Sequence, residues 1–356
     1  MTHVLLARLD NAGDVLLAGP AVRAVAAGAD EVTLWCGPTG AAAAGLLPGV
    51  DRVLEHRAEW IDPGADEVDR ARTMAFVDRV ADLGVDLAIV LTSFHQSPLP
   101  AALLLRLAGV RTIAAISDDF PGALLDVRHR VAEDIHEVER SLSLVATLGY
   151  RLPGGDDGGL QVRRPREVDV PALDAETIAV HPGASVPARA WSAQRHRELV
   201  DALVDAGWRV VVTGGPGERD LTRFVAGHTR PAVMDLGGAT DLAQLAAVLA
   251  GCQAVVTGNT GPAHLAAATG TPVVSLFAPT VPASRWRPWG VRHVLLGDQD
   301  IACAGCRATC CPLPGHPCLD GVSAGDVIAA LRRLLSDRDG TRPPLVSDRP
   351  HLQVVR

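Results

Sequence analysis

Three stretches of this chain set chemically capable side chains where an apolar strand-like run passes into a helix-like one. The first is Arg8-Leu-Asp-Asn-Ala-Gly13-Asp14-Val. Gly13 suits a tight turn, and Asp14 then stands at a helix N-terminus among unpaired backbone N–H groups. Two readings follow. Asp14 is an N-cap, since caps favour Asp, or a carboxylate placed to take a proton as general base. The dinucleotide fingerprint Gly-x-Gly-x-x-Gly cannot be fitted to this turn.

The second stretch is His181-Pro-Gly-Ala-Ser185-Val-Pro-Ala-Arg189-Ala-Trp191-Ser192. Its small residues let backbone approach a ligand. Ser185 and Arg189 carry groups that can meet phosphate oxygens, two at once for the planar guanidinium. An ordinary loop with a solvated Arg reads equally well. The third is Thr257-Gly-Asn259-Thr260-Gly261-Pro262-Ala-His264-Leu. Here the Thr260 hydroxyl and the N–H groups after Gly261 form an anion site at a helix start. A capped helix with Pro in its first turn uses the same residues, and His264 alone reads as packing. Asp298-Gln-Asp300 follows a strand-like run and reads as a solvated loop, in preference to a metal-binding pair.

Five of the seven cysteines, Cys303, Cys306, Cys310, Cys311 and Cys318, fall together beside His316. Cys303 and Cys306 form C-x-x-C, a spacing that opens structural zinc sites, and Cys311 and Cys318 would complete a four-thiolate set. No clean second C-x-x-C follows. A reversible disulfide and a reduced packing segment therefore stand beside zinc as readings, while Cys36 and Cys252 read as core.

Short β-branched runs alternate with helical patterns throughout, the sequence form of βαβ units and parallel sheets. In the first half, strands are expected at His3–Arg8, Glu31–Cys36, Arg52–Glu55, Leu87–Leu91 and Thr112–Ile116, with helices at Val15–Ala27, Leu99–Ala108 and Val131–Leu148. After a Gly-, Pro- and Asp-rich stretch the pattern restarts. Strands are expected at Thr177–Val180, Arg209–Thr213, Ala254–Thr257, Pro272–Phe277 and His293–Leu296, and helices at Ala193–Ala206, Leu242–Ala250 and Pro262–Thr269. This divides the chain into a domain at 1–150, a linker at 151–175, a domain at 176–337 and a polar tail at 338–356.

Composition narrows the function classes. The 356 residues exceed what one core usually covers, and 48% hydrophobic against 21% charged residues describes a globular protein. A net charge of −8 argues against a nucleic-acid partner. Every one of the 33 basic residues is arginine. A P-loop needs a lysine on its phosphates and pyridoxal phosphate needs one for its Schiff base, so both classes are set aside. The opening Met1-Thr-His-Val-Leu-Leu has no signal-peptide character, and no apolar run approaches the roughly 20 residues of a membrane span. A soluble cytoplasmic protein is expected, with peripheral contact at the inner membrane face left open.

In their shared order several motifs resemble glycosyltransferase family 9, the heptosyltransferases, from about residue 3 to residue 335. They are Gly13-Asp14, His136-Glu-Val-Glu-Arg140, His181-Pro-Gly-Ala, Gly214-Gly-Pro-Gly-Glu218, Asn259-Thr-Gly-Pro-Ala-His264, Phe277-Ala-Pro-Thr280 and Cys311-Pro-Leu-Pro-Gly-His-Pro-Cys318. The resemblance implies an α/β GT-B fold, two Rossmann-like domains with parallel sheets facing a central cleft. It implies inverting transfer, with no required metal or cofactor, from a nucleotide-sugar donor (ADP-heptose in the best-known members) to an acceptor hydroxyl. The acceptor would be a cell-envelope glycan or glycolipid. Asp14 would be the base. Ser185, Arg189, Glu218, Asn259, Thr260, Gly261 and His264 would bind the donor. Arg189 stands where the family carries a lysine on the donor phosphate, Ser185 lies near its phosphate-binding threonines, and Glu218 lies near its ribose contact. Asn259 replaces a family aspartate, and an amide forms no charge-assisted bond to a sugar hydroxyl. Two rivals stand beside this reading. A degenerate nucleotide-sugar-binding protein would not hydrolyse donor, and a GT-B-type sugar-nucleotide epimerase would alter donor without an acceptor.

Overall fold

The computed structural model describes residues 1–62, 64, 66–131, 134–163, 169–174, 176–227 and 230–336. These residues form two compact units, divided along the chain after Arg163. In the first, the elements run β1 (His3–Ala7), α1 (Ala12–Leu17), α2 (Gly19–Ala26), β2 (Glu31–Cys36), α3 (Pro38–Leu46) and β3 (Arg52–Glu55). They continue through α4 (Arg70–Asp82), β4 (Leu87–Val90), α5 (Leu99–Leu107), β5 (Thr112–Ile116), β6 (Val127–His129) and α6 (Glu137–Thr147). The strands lie in the order β3-β2-β1-β4-β5-β6 and every pairing is parallel. Helices cover both faces of such a sheet, which is why β1 reads as an apolar run from Val4 to Ala7, with every residue of the strand buried.

The second unit repeats the plan. Its elements run β7 (Thr177–His181), α7 (Ala193–Asp205), β8 (Arg209–Gly214), α8 (Arg219–Ala226), β9 (Val233–Gly237), α9 (Leu242–Ala250) and β10 (Ala254–Gly258). Then come α10 (Gly261–Thr269), β11 (Val273–Leu276), α11 (Ala283–Trp286), β12 (His293–Leu296), α12 (Pro317–Asp320) and α13 (Ala324–Ser336). Its parallel sheet has the order β12-β11-β10-β7-β8-β9. Strand order thus reverses beside β1 and β4 in one unit, and beside β7 and β10 in the other. Ligands of open α/β sheets bind outside the carboxyl ends of strands at such points.

Three details differ from the sequence expectations. The helix expected over Val15–Ala27 is two helices, because Pro20 has no N–H to continue the first and instead occupies the opening turn of the second. The helix expected from Val131 begins at Glu137. His136 caps it, accepting from Val138 N at 3.2 Å while Glu139 Oε2 accepts from His136 N at 3.2 Å. The edge strands β6 and β9 were not anticipated, since their partly exposed runs lack the continuous apolar character of inner strands.

Of the stretch read as linker, residues 151–163 pack on the first unit. Arg23 Nε donates to Asp156 Oδ2 at 2.7 Å, and Arg163 N donates to Leu46 O at 2.7 Å. Its residues 164–168 and 175, and the tail from 338, lie outside the described residues. Among the described residues no helix is long and apolar enough to cross a membrane.

Candidate functional site

In the first unit Arg8, the residue after β1, gathers three carboxylates. Its Nη2 donates to Asp14 Oδ1 and to Ser93 Oγ, both at 3.0 Å, and its Nη1 donates to Glu137 Oε2 at 3.3 Å. Its Nε stands 2.9 Å from Asp10 Oδ2, an ion pair without hydrogen-bond alignment. Ser93 Oγ donates to Asp10 Oδ2 at 3.3 Å, and Gln96 Nε2 donates to Asp10 Oδ1. Asp10 lies between β1 and α1, Ser93 and Gln96 between β4 and α5, and Glu137 opens α6. One guanidinium therefore ties together the segments that surround the reversal point of the sheet.

The electrostatics follow from burial. Desolvation opposes the charge on Arg8, yet Asp10, Asp14 and Glu137 outweigh it and hold the guanidinium pKa above its ordinary value. Burial pushes the carboxyl of Asp10 up against the pull of Arg8, with Asp14 adding like-charge repulsion. Burial likewise raises Glu137, opposed by Arg8 and Arg140. The three carboxylates are not equivalent in access. The Asp14 side chain is 21% exposed, against 8% for Asp10 and 0% for Glu137. Asp14 is thus the member of the cluster that reaches the surface.

This corrects the cap reading of Asp14. The N-cap of α1 is Asn11, whose side chain makes no capping bond, and Asp14 lies in the first helical turn with its carboxylate on Arg8. Gly13 is not in a tight turn either; it is a buried residue within the same helix.

In the second unit, His181 ends β7. It shares a 3.0 Å hydrogen bond between its Nδ1 and Thr213 Oγ1, and its Nε2 is 3.8 Å from Glu218 Oε2. Burial, against the opposing charge of Glu218, lowers its pKa to about 4, so the imidazole is neutral. Glu218 Oε2 accepts from Gly215 N at 2.7 Å, and its carboxylate lies in the space left by the missing side chain of Gly183. Beyond β7 the loop exposes Ser185 and then makes a single tight turn, Pro187–Arg189. Arg189 Nε donates to Thr280 Oγ1 at 3.2 Å. Gly258, at the end of β10, admits that turn: a Cβ there would lie 3.1 Å from Arg189 O.

Asn259 is 4% exposed, and its buried Nδ2 has no hydrogen-bond partner among the described residues. Thr260 is the N-cap of α10 by position, but its hydroxyl meets Thr257 Oγ1 at 3.2 Å and makes no capping bond. Gly261 opens the helix and His264 is buried within it. The sequence-derived donor residues therefore group on the β7–α7, β8–α8 and β10–α10 connections of one unit, and Asp14 belongs to the other. Sequence reasoning assigned no role to Arg8, Asp10 or Glu137, although all lie inside or beside motifs it quoted. A buried Arg after the first strand was the available signal.

Cys303, Cys306, Cys311 and Cys318 line one pocket with His316. Burial, with smaller contributions from Cys311, Cys303 and Cys306, raises the Cys318 thiol to about 11. All seven cysteines are free thiols. Among the described residues no group of three or more His, Cys, Asp or Glu is arranged to hold a metal ion. What the segment does is brace the Arg189 turn. Ala188 N donates to Thr309 O at 2.9 Å, the His316 Nε2 and Ala188 O are 3.0 Å apart, and Arg307 N donates to Thr280 O at 3.0 Å.

With that geometry in view, the relatives are informative. Glycosyltransferase family 9 (heptosyltransferase) matches residues 79–316. The chain is 31% identical over 321 residues to lipopolysaccharide heptosyltransferase 1 of Pseudomonas aeruginosa, covering 87% of each chain. Its fold is similar to that of the family 9 glycosyl transferase from Veillonella parvula, with TM-score 0.74 and 18% identity over 94% of this chain and 97% of that one. It is also similar to E. coli heptosyltransferase WaaC with ADP-2-deoxy-2-fluoro heptose, with TM-score 0.70 and 22% identity over 93% and 99%. Together the family match, the extended identity and the paired parallel sheets lead to one conclusion: the chain belongs to glycosyltransferase family 9 and is a glycosyltransferase of GT-B fold.

Proposed function

We propose that this enzyme moves a heptose or related sugar from an ADP-linked donor to an acceptor hydroxyl of a cell-envelope glycan or glycolipid, with inversion and without an obligatory metal. The observation that carries the reading is Asp14, the surface-reaching carboxylate of a buried guanidinium cluster at the β1–β4 reversal point. Asp14 takes the acceptor proton as carbon–oxygen bond formation proceeds, since a carboxylate is too weak a base to make a free alkoxide first. Arg189, the Thr260 hydroxyl and the N–H groups opening α10 stabilise the charge that grows on the departing diphosphate. The buried amide of Asn259 is available to donate to the sugar, and Glu218 to accept from the ribose.

Support comes from the 31% identity to a lipopolysaccharide heptosyltransferase and from the donor-analogue complex named for a structural relative. The test is thermal shift with ADP, UDP and GDP, followed by incubation with ADP-heptose and analysis of the products. A preferential rise in Tm with ADP is expected, together with ADP release. Preference for UDP or GDP would refute the donor assignment. An altered sugar nucleotide formed without ADP release would replace transfer by epimerisation.

A further inference from the structure

A buried arginine holding three carboxylates is a costly way to stabilise a fold, because burial penalises every ion and a packed apolar side chain often serves as well. The asymmetry of the cluster gives the cost a purpose. Asp10 and Glu137, both buried, grip the guanidinium at Nε and Nη1, and the remaining edge, Nη2, meets the carboxylate that reaches solvent. Ser93 Oγ accepts from that same nitrogen at 3.0 Å and fixes its direction. Glu137 is held in turn by its place at the start of α6, directly after the His136 cap, with Arg140 one turn further on. This accounts for the unassigned motif His136-Glu-Val-Glu-Arg140, whose Glu137 anchors a residue far from it in sequence.

We propose that Arg8, clamped by Glu137 and Asp10, is a positioning residue that orients the carboxylate of Asp14 for proton transfer. The proposal rests on Asp14 being the base. The charged groups around Asp14 are Arg8 after β1, Asp10 in the loop that follows, and Glu137 at the start of α6, which itself faces Arg140. As the acceptor proton arrives on Asp14, the Arg8–Asp14 attraction falls away while Asp10 and Glu137 continue to balance the guanidinium. The arginine therefore stays in place for the next turnover.

The test uses the full chain and ADP-heptose with water as acceptor, read as ADP release between pH 5 and 9, with ADP affinity measured alongside. Asp14→Asn is made first. A near-normal rate there sinks the base reading, and this proposal with it. Once that rate is lost, Arg8→Met should lower kcat by about 100-fold, the order expected from a misplaced catalytic group, with ADP affinity within about 2-fold. Arg8→Lys keeps the charge without the fork and should recover part of the rate. Glu137→Gln loosens the clamp at Nη1 and should lower kcat by less than Arg8→Met, with ADP affinity again unchanged. A purely structural role predicts loss of folded protein with kcat of the folded fraction unchanged. Should Arg8→Met fail to fold, Arg8→Lys and Glu137→Gln carry the comparison, and an unchanged kcat in both folded proteins overturns the proposal. A Tm cycle of Arg8→Lys with Asp14→Asn needs no substrate. Coupled shifts are expected, and additive shifts overturn the pairing itself.

Discussion

Replacing Asp14 by Asn separates its chemical role from its structural one. The amide retains an oxygen for Arg8 Nη2, now 3.0 Å from the carboxylate, and so preserves the local shape. Removing the charge has two opposed effects on stability. An ion pair is lost, but the repulsion that Asp14 exerts on Asp10 and Glu137 is relieved. Because the Asp14 side chain is 21% exposed, solvent screens both terms. The net change should stay within about 1 kcal/mol. Turnover should respond very differently. Losing a general base costs about 10²–10⁴-fold, or roughly 3–5 kcal/mol of barrier. ADP release from ADP-heptose reads the rate, calorimetry with ADP reads the donor site, and a melting curve reads the fold. The expected pattern is a lost rate with donor affinity and Tm nearly intact. Since Asn11 is the cap, Asp14→Ala should cost stability through the lost Arg8–Asp14 bond and through no lost capping bond. A well-folded Asp14→Asn protein with near-normal turnover would refute the assignment.

Further outcomes follow from the second unit. Arg189→Ala should weaken donor use by about 2 kcal/mol, the range of a hydrogen bond to a charged group, and Arg189→Lys should restore part of it; unchanged donor kinetics would make Arg189 a surface residue. Because the cysteine segment braces the Arg189 turn, Cys303→Ser and Cys306→Ser should lower Tm more than kcat. Elemental analysis of protein purified without added metal decides the zinc reading: stoichiometric zinc, lost with either substitution, would make the segment a structural metal site. His196 is buried and neutral, its pKa lowered to about 4 by desolvation from an ordinary 6.5. Its contribution is therefore present above pH 6.5 and is lost as pH falls towards 4, amounting to about 3 kcal/mol. Melting curves across that window should show the decline, and a folded His196→Gln protein should show a shallower one.

Most of the architecture was legible in the linear chain. Parallel strands buried on both faces must be continuous apolar runs, so β1, β2, β7 and β10 announce themselves. Their alternation with helices of 3.6-residue period leaves few alternatives. Edge strands β6 and β9 escaped because their partial exposure erases that signal. The start of α6 escaped because apolar periodicity continues past a cap whose effect is local hydrogen bonding. The loops carrying Ser185, Arg189, Thr260 and Gly261 were legible as candidate phosphate sites by residue type, although an ordinary loop or a capped helix uses the same residues.

Only the tertiary structure decided what those residues do to one another. Asp14 reads as a helix cap in sequence because neighbours within a few positions are all that sequence displays. Its actual partner, Arg8, becomes decisive only when Asp10, Ser93 and Glu137 arrive from three separate connections. The four cysteines illustrate the converse. Their spacing is compatible with a metal, a disulfide or a packing segment, and spacing along a loop does not set the directions of thiols in space; only the fold shows that this loop supports the Arg189 turn. Sequence determines which groups are present and which elements carry them. Convergence of charge at a point depends on strand order, and strand order is settled only when the sheet is assembled.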